Sequence, residues 1–214
     1  MSDIYYENNG YTKDILPKKG TLVYNWDFLT SIIDTVSGVS ATLYRGASRD
    51  DVNGLVIPND NNQYVYLNDT NNPINITNKT IEIKFGSYTD SYTSVIARAI
   101  LSICGAFNSS TNARHPLSYH DYRGFCLVGV TQIGSNTSQP TSYNYSMDKN
   151  ILANKVVDIE IDNNGYCTLF VDNKKISTIK SSYINTDYNY IALGRVGDSA
   201  AAMTIEYVKI YNNQ

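Results

Sequence analysis

The chain has few charges, few cysteines and no long apolar run, and each shortage excludes something. Charged residues make up 17% and the net charge is −3. No basic stripe runs along the 214 residues, which argues against a nucleic-acid partner. No stretch reaches the ~18 consecutive apolar residues of a membrane span, so no membrane partner is expected. The opening MSDIYYENNGYTKDILPKKG lacks the apolar core of a signal peptide, so synthesis and folding in a cytosol are expected. Three cysteines, Cys104, Cys126 and Cys167, are an odd number without paired spacing. That is no disulfide framework, and their apolar contexts point to buried free thiols in a reducing compartment. Sequons such as Asn75-Ile76-Thr77 then carry no glycan.

Tyrosine is abundant: 19 residues against 5 Phe and 1 Trp. A tyrosine ring can cover a sheet while its hydroxyl stays wet, or it can line a polar binding face. The clearest pattern lies at residues 154–176, NKVVDIEIDNNGYCTLFVDNKKI. Val157, Ile159 and Ile161 alternate with Asp158, Glu160 and Asp162. Asn163-Asn164-Gly165 then supplies positive-φ residues for a turn, and a second alternating strand runs to a further turn at Asp172-Asn173. Period-2 patterning bounded by such turns predicts antiparallel sheet with one buried face.

The same grammar recurs. Strands are expected at Thr21–Phe28, Ala41–Tyr44, Gly54–Ile57, Tyr64–Leu67, Lys79–Phe85, Ser94–Cys104, Phe125–Val130, Tyr190–Leu193 and Met203–Tyr211. Phe28, Leu29, Ile32, Ile33 and Val36 have helical spacing, read as an irregular turn or a short helix. Long loops are expected at 87–94, 107–123 and 131–150. About eleven or more short strands without a long helix predict an all-β, two-sheet antiparallel sandwich, a jelly roll. Residues 1–20, ending in Pro17-Lys18-Lys19-Gly20, read as an N-terminal arm or docking segment, and 21–214 as the sandwich.

Several motifs resemble one family. The order Trp26-Asp27-Phe28, Ser37-Gly38-Val39, Ala41-Thr42-Leu43, Gly46-Ala47, Arg49-Asp50 and Asn53-Gly54-Leu55 resembles the opening of concanavalin A-like lectin/glucanase domains of laminin-G type. The hairpin TLFVDNKKI and the closing IALGR…MTIEYVKIYN resemble that family's later strands. The resemblance spans 21–213. It implies two antiparallel sheets and a role in carbohydrate recognition, adhesion or architecture, with hydrolysis a minority use. This opening is most similar to domains of bacteriophage virion proteins.

Candidate chemistry must be weighed against plainer readings. Family glucanases set their catalytic pair in E-x-D-x-x-E, and retaining hydrolysis needs two carboxyl groups about 5–5.5 Å apart. Asp158, Glu160 and Asp162 are the corresponding candidates, but Asp158 stands where the first Glu should be and position 163 is Asn. A solvated strand face is the plainer reading. His115 and His120, with Asp121, could hold a metal if their loop folded back; otherwise they lie in an ordinary loop. Asp50, Asp51, Asp60 and Asp69 sit in turn-rich segments. A Ca²⁺ site there is an alternative to plain turn hydrogen bonds, though no spaced Asp-x-Asp loop is visible; no other cofactor is expected. Tyr88, Tyr92, Tyr119, Tyr122, Tyr143 and Tyr145, among Asn, Asp and His115/His120/Asp121, are candidate ligand-binding residues. Rings would stack on sugar C–H faces while polar neighbours meet hydroxyls. A protein contact is the rival reading. Trp26 is assigned to the core.

The resulting expectation is a non-enzymatic phage virion surface protein, acting in capsid decoration or in fibre-type adhesion to host glycans. Its partners would be other virion proteins, met through the arm, and host surface glycans. A small adhesin gains affinity through multivalency, so a homo-oligomer is expected. The rivals are a ligand-free cement protein and a laminarinase-like glycan depolymerase.

Overall fold

The computed structural model describes residues 15–58, 64–89, 98–107, 113–120, 124–128, 142–146, 148, 151–180, 189–194 and 202–214. Fifteen strands follow in chain order: β1 Leu22–Asp27, β2 Thr42–Tyr44, β3 Ser48–Asp50, β4 Gly54–Ile57, β5 Tyr64–Tyr66, β6 Lys79–Thr89, β7 Arg98–Cys104 and β8 Ala113–His120. The rest are β9 Gly124–Val128, β10 Ser142–Ser146, β11 Val156–Ile161, β12 Tyr166–Val171, β13 Lys174–Lys180, β14 Tyr190–Gly194 and β15 Ala202–Asn212. No helix occurs among the described residues. The apolar residues at 28–36 form turns and an isolated bridge between Ile33 and Ser40, so the short-helix alternative is not what forms.

Two antiparallel sheets stack. One runs β13-β12-β11-β6-β15-β4-β3, with β1 also on β15; the other runs β10-β9-β8-β7-β14-β5-β2. The all-β jelly-roll expectation therefore holds. Between the sheets lie Trp26, Ile81, Ile83, Phe85, Val157, Ile159, Ile161, Val208 and Ile210 from the first and Val65, Leu67, Leu101, Ile103, Leu117, Ile191 and Leu193 from the second. Trp26 is fully buried, stacks on Tyr24 and donates its indole N–H to the Val39 carbonyl at 3.1 Å. That hydrogen bond satisfies the indole's one polar atom and so offsets the cost of taking it out of water.

Alternation along β6, β11 and β15 decides what faces outward. Ile81 pairs with Ile159 and Ile210, and Ile83 with Val157 and Val208. The residues between them must point the other way. Glu82 therefore lies between Asp158 and Lys209, and Thr80 between Glu160 and Tyr211.

Three expected loops are partly strand. The segment 107–123 contains β8, 131–150 contains β10, and β6 continues through 87–89. Their polar, Tyr-rich composition hid them, because edge and outer-face strands need no apolar alternation. Tyr88 is consequently not a loop residue. It pairs with Met203, is 1% exposed and belongs to the core cluster, so it offers no ring face to a ligand.

Candidate functional site

Residues 15–20 run across the outer face of the first sheet as a strap. Two backbone contacts anchor it: the Gly20 N–H donates to the Asn212 carbonyl at 2.8 Å, and the Thr80 hydroxyl donates to the Lys18 carbonyl at 2.8 Å. Between these anchors, Lys19 drops its ammonium between two carboxylates. Its Nζ lies 2.5 Å from Glu82 Oε2 and 2.8 Å from Asp158 Oδ1, and 5.7 Å from the centre of the Tyr211 ring. Lys18 engages Glu160 twice, through its backbone N–H at 3.1 Å and its Nζ at 3.2 Å. Lys209, 3.8 Å from Glu82 Oε1, completes the charge set and stacks on Tyr207.

The outward carboxylates are therefore not a solvated strand face, as the plainer reading had it. Asp158 is fully buried and Glu82 and Glu160 are each 7% exposed. Burial pushes the Asp158 carboxyl up to about 6 against the lowering pull of Lys19, while neighbouring Glu82 adds repulsion. Burial alone would lower the Lys19 ammonium, but its bonds to Asp158 and Glu82 outweigh that and hold it above the usual lysine value. Burial and the Glu82 charge raise Tyr207 and Tyr211.

Hydrolysis needs one free carboxylate and one free acid facing a sugar. Here Asp158 and Glu160, same-face neighbours about 6.5–7 Å apart along the strand, are each met by a lysine of the strap. Asp162 lies beyond the end of β11, where its Oδ1 accepts the Asn164 and Tyr166 amides of the β11–β12 turn. Beside the strap an open groove of about 230 Å³ is lined by Ile15, Leu16, Glu160, Tyr166, Phe170 and Lys175, among others.

The remaining candidates separate. Asp50 caps its own turn, accepting the Val52 and Asn53 amides, and Arg49 pairs with Asp51 at 2.6 Å while donating to the Phe28 carbonyl. Asp69 likewise accepts from Asn71 and Asn72. These carboxylates serve the turns that hold them. No group of three His, Cys, Asp or Glu gathers among the described residues. Asp60, Tyr92, Asp121 and Tyr122 lie outside the described residues. His115, Tyr119 and His120 fall on β8, and Tyr143 and Tyr145 on β10, with only β9 between; their side chains lie outside the description. Cys104 and Cys167 are buried free thiols, pushed up by burial to about 11 and about 12. Cys126 sits on β9, its side chain undescribed.

Sequence reasoning missed the strap's role and an aromatic cluster. Tyr44 stacks on Tyr64 at 4.7 Å, Tyr66 meets Phe107 at 4.6 Å, and Phe107 meets Tyr190 at 5.7 Å, all on the face of the second sheet opposite the core. The Tyr64-Val65-Tyr66 alternation was the available signal. For the strap, the signal was Lys18-Lys19 just before a chain whose outer strand positions carry Glu82, Asp158 and Glu160.

No protein-family model and no curated protein matches the chain. Solved structures do. The carbohydrate recognition domain of Emp47p aligns over 96% of this chain and 100% of its own, with 13% identity and a TM-score of 0.59. The potassium-bound carbohydrate recognition domain of Emp46p aligns over 81% and 89%, with 15% identity and a TM-score of 0.54. The binding domain of botulinum neurotoxin serotype D aligns over 90% of this chain but 48% of its own, with 13% identity and a TM-score of 0.60. At such identities the shared property is the fold, a two-sheet antiparallel jelly roll.

Proposed function

We propose that this protein is a non-catalytic carbohydrate-recognition module that works as a surface adhesin. The observation that carries the reading is the strap. In a sandwich similar to domains named for carbohydrate recognition, the carboxylates that would have to cleave a glycosidic bond are met by Lys18 and Lys19. What is left for a glycan is binding. The outer face of the edge strip β8–β10 is the proposed contact. Leu117 faces the core, so the register puts Ser118 and His120 of β8 and Asn144 of β10 on the opposite face with only β9 between, while Tyr119 and Tyr143 share the register side of Leu117. A hydroxyl, an imidazole and an amide on such a strip suit sugar hydroxyls. Display on a phage virion, with residues 1–20 meeting other virion proteins, is the finer form of the proposal. It rests on the resemblance of the opening motifs.

The test is binding of labelled protein to extracted surface polysaccharides, with free sugar as competitor and reducing-end release measured in parallel. Saturable, competed binding that is lost in His120→Ala/Asn144→Ala, with no release of reducing ends, is expected. Release of reducing ends that Glu160→Gln abolishes would overturn the non-catalytic reading. Absence of binding even on protein-coated beads would overturn recognition and leave an architectural protein.

A further inference from the structure

We propose that Lys19 and Asp158 join through an intramolecular isopeptide bond, with Glu82 carrying the proton between them. Three groups from three elements converge on one point: an amine from the strap, a carboxyl from β11 and a second carboxyl from β6. Lys19 Nζ is 2.8 Å from Asp158 Oδ1 and 2.5 Å from Glu82 Oε2, so nucleophile, electrophile and proton carrier are already in contact. Asp158 is fully buried, and its Oδ2 has no hydrogen-bond partner among the described residues. Tyr211 covers the lysine, and Tyr207 and Lys209 stand beside Glu82 on β15.

The strap holds this geometry. Its backbone is fixed on one side of Lys19 by the Thr80–Lys18 and Lys18–Glu160 bonds and on the other by the Gly20–Asn212 bond. Held in place, the amine attacks a carboxyl as an intramolecular partner, which greatly raises its effective concentration. Burial favours the neutral form of the Asp158 acid. The two carboxylates hold Lys19 as an ammonium, so the amine is freed by passing its proton to Asp158 across the 2.8 Å contact. The upward shift of the Asp158 carboxyl to about 6 has the direction the reaction needs.

The step balances without any added reagent. One proton passes from the Lys19 ammonium to Asp158, leaving –NH₂ and –COOH. The nitrogen lone pair attacks Asp158 Cγ, and the C–N bond forms. The Glu82 carboxylate accepts a proton from nitrogen and returns it to the departing hydroxyl. The C–O bond breaks, one water leaves, an amide remains and Glu82 is regenerated. Nothing is oxidised or reduced. Lys18 and Glu160 serve as an internal contrast: the Lys18 side chain is 57% exposed, so this pair stays an ordinary ion pair.

The product would tie the strap covalently to β11 and close most of the chain into a loop, a device suited to an adhesin under load. The proposal does not depend on whether glycan is the ligand.

The experiment is intact-mass spectrometry of the full chain, purified folded and then denatured, followed by tryptic mapping. Wild type is expected to be lighter than its sequence by one water and to yield a branched peptide joining Lys19 to Asp158, without cleavage after Lys19. Lys19→Arg keeps the charge and the docking but should restore the full mass. Glu82→Gln should raise the uncyclised fraction in chains that circular dichroism shows to be folded. Folded wild type at full sequence mass after long incubation at neutral pH would overturn the proposal. So would a water loss that persists in Lys19→Arg.

Discussion

Asp34 shows how one buried carboxylate can organise an irregular segment. It is 1% exposed, and its oxygens accept from the amides of Asn25, Val36 and Ser37 and from the Ser37 hydroxyl, so that 31–39 wraps around it. Burial would raise its pKa, but these donors win and hold it below the 3.8 reference. For an acid depressed in the folded state, the stabilisation is complete above the unfolded value of about 3.8 and is lost as pH falls through the lower folded value. Asp34→Asn should cost about 1.5–3 kcal/mol at neutral pH, the worth of charge-assisted hydrogen bonds. It should also flatten the loss of melting temperature below about pH 3.8; a variant melting curve that tracks wild type at every pH would refute the assignment. Trp26 belongs to the same scale. Its truncation to alanine empties a fully buried site and should cost about 3–5 kcal/mol by denaturant titration, with little change in ligand binding.

At the scale of elements, the strap matters most. It has no regular structure and its Ile15 and Leu16 are about 60% exposed, yet it neutralises the acids on the outer sheet face. Removing residues 1–14 keeps every strap contact described above and should leave the unfolding midpoint unchanged. Removing 1–20 strips Lys18 and Lys19 from buried carboxylates and should cost about 3–5 kcal/mol, the usual effect of breaking a buried pair. Equal midpoints for the two truncations would show that the strap does not matter to stability. Residues 15–20, part of the segment read from the sequence as an arm, thus act with the sandwich. Turns follow more local rules. Asp172 and Asn173 both take positive φ, at 48° and 64°, as a two-residue β12–β13 hairpin requires, and the Asp172 carboxylate is tied back to Lys155 at 2.7 Å. Gly54 stands at φ 71° with a would-be Cβ 2.5 Å from the Ile205 carbonyl, so both conformation and space exclude a side chain.

At the scale of the whole molecule, the proposed contact is an open edge strip of a sheet, and a site of that kind binds one sugar unit weakly. The proposed adhesin would then draw its affinity from number. Protein clustered on beads should retain polysaccharide at concentrations where the free chain does not, by a factor on the order of 10²–10⁴. Equal apparent affinity for clustered and free protein, measured by bead pull-down against solution titration, would refute an avidity mechanism.

Alternation and turn chemistry are local, so they were legible in the chain itself. The β11–β12 hairpin, β4, β6, the final strand and the buried Trp26 all follow from side-chain period and from glycine and asparagine at turns. Polar strands such as β8 and β10 carried no such signal, because what makes them strands is the neighbour each pairs with. The same limit held for the candidate site. Alternation alone placed Asp158 and Glu160 on one strand face, but only the folded chain could decide whether that face met water or another segment. It met Lys18 and Lys19, about 140 residues away in sequence, since charge pairing depends on distance in space and leaves no periodic trace.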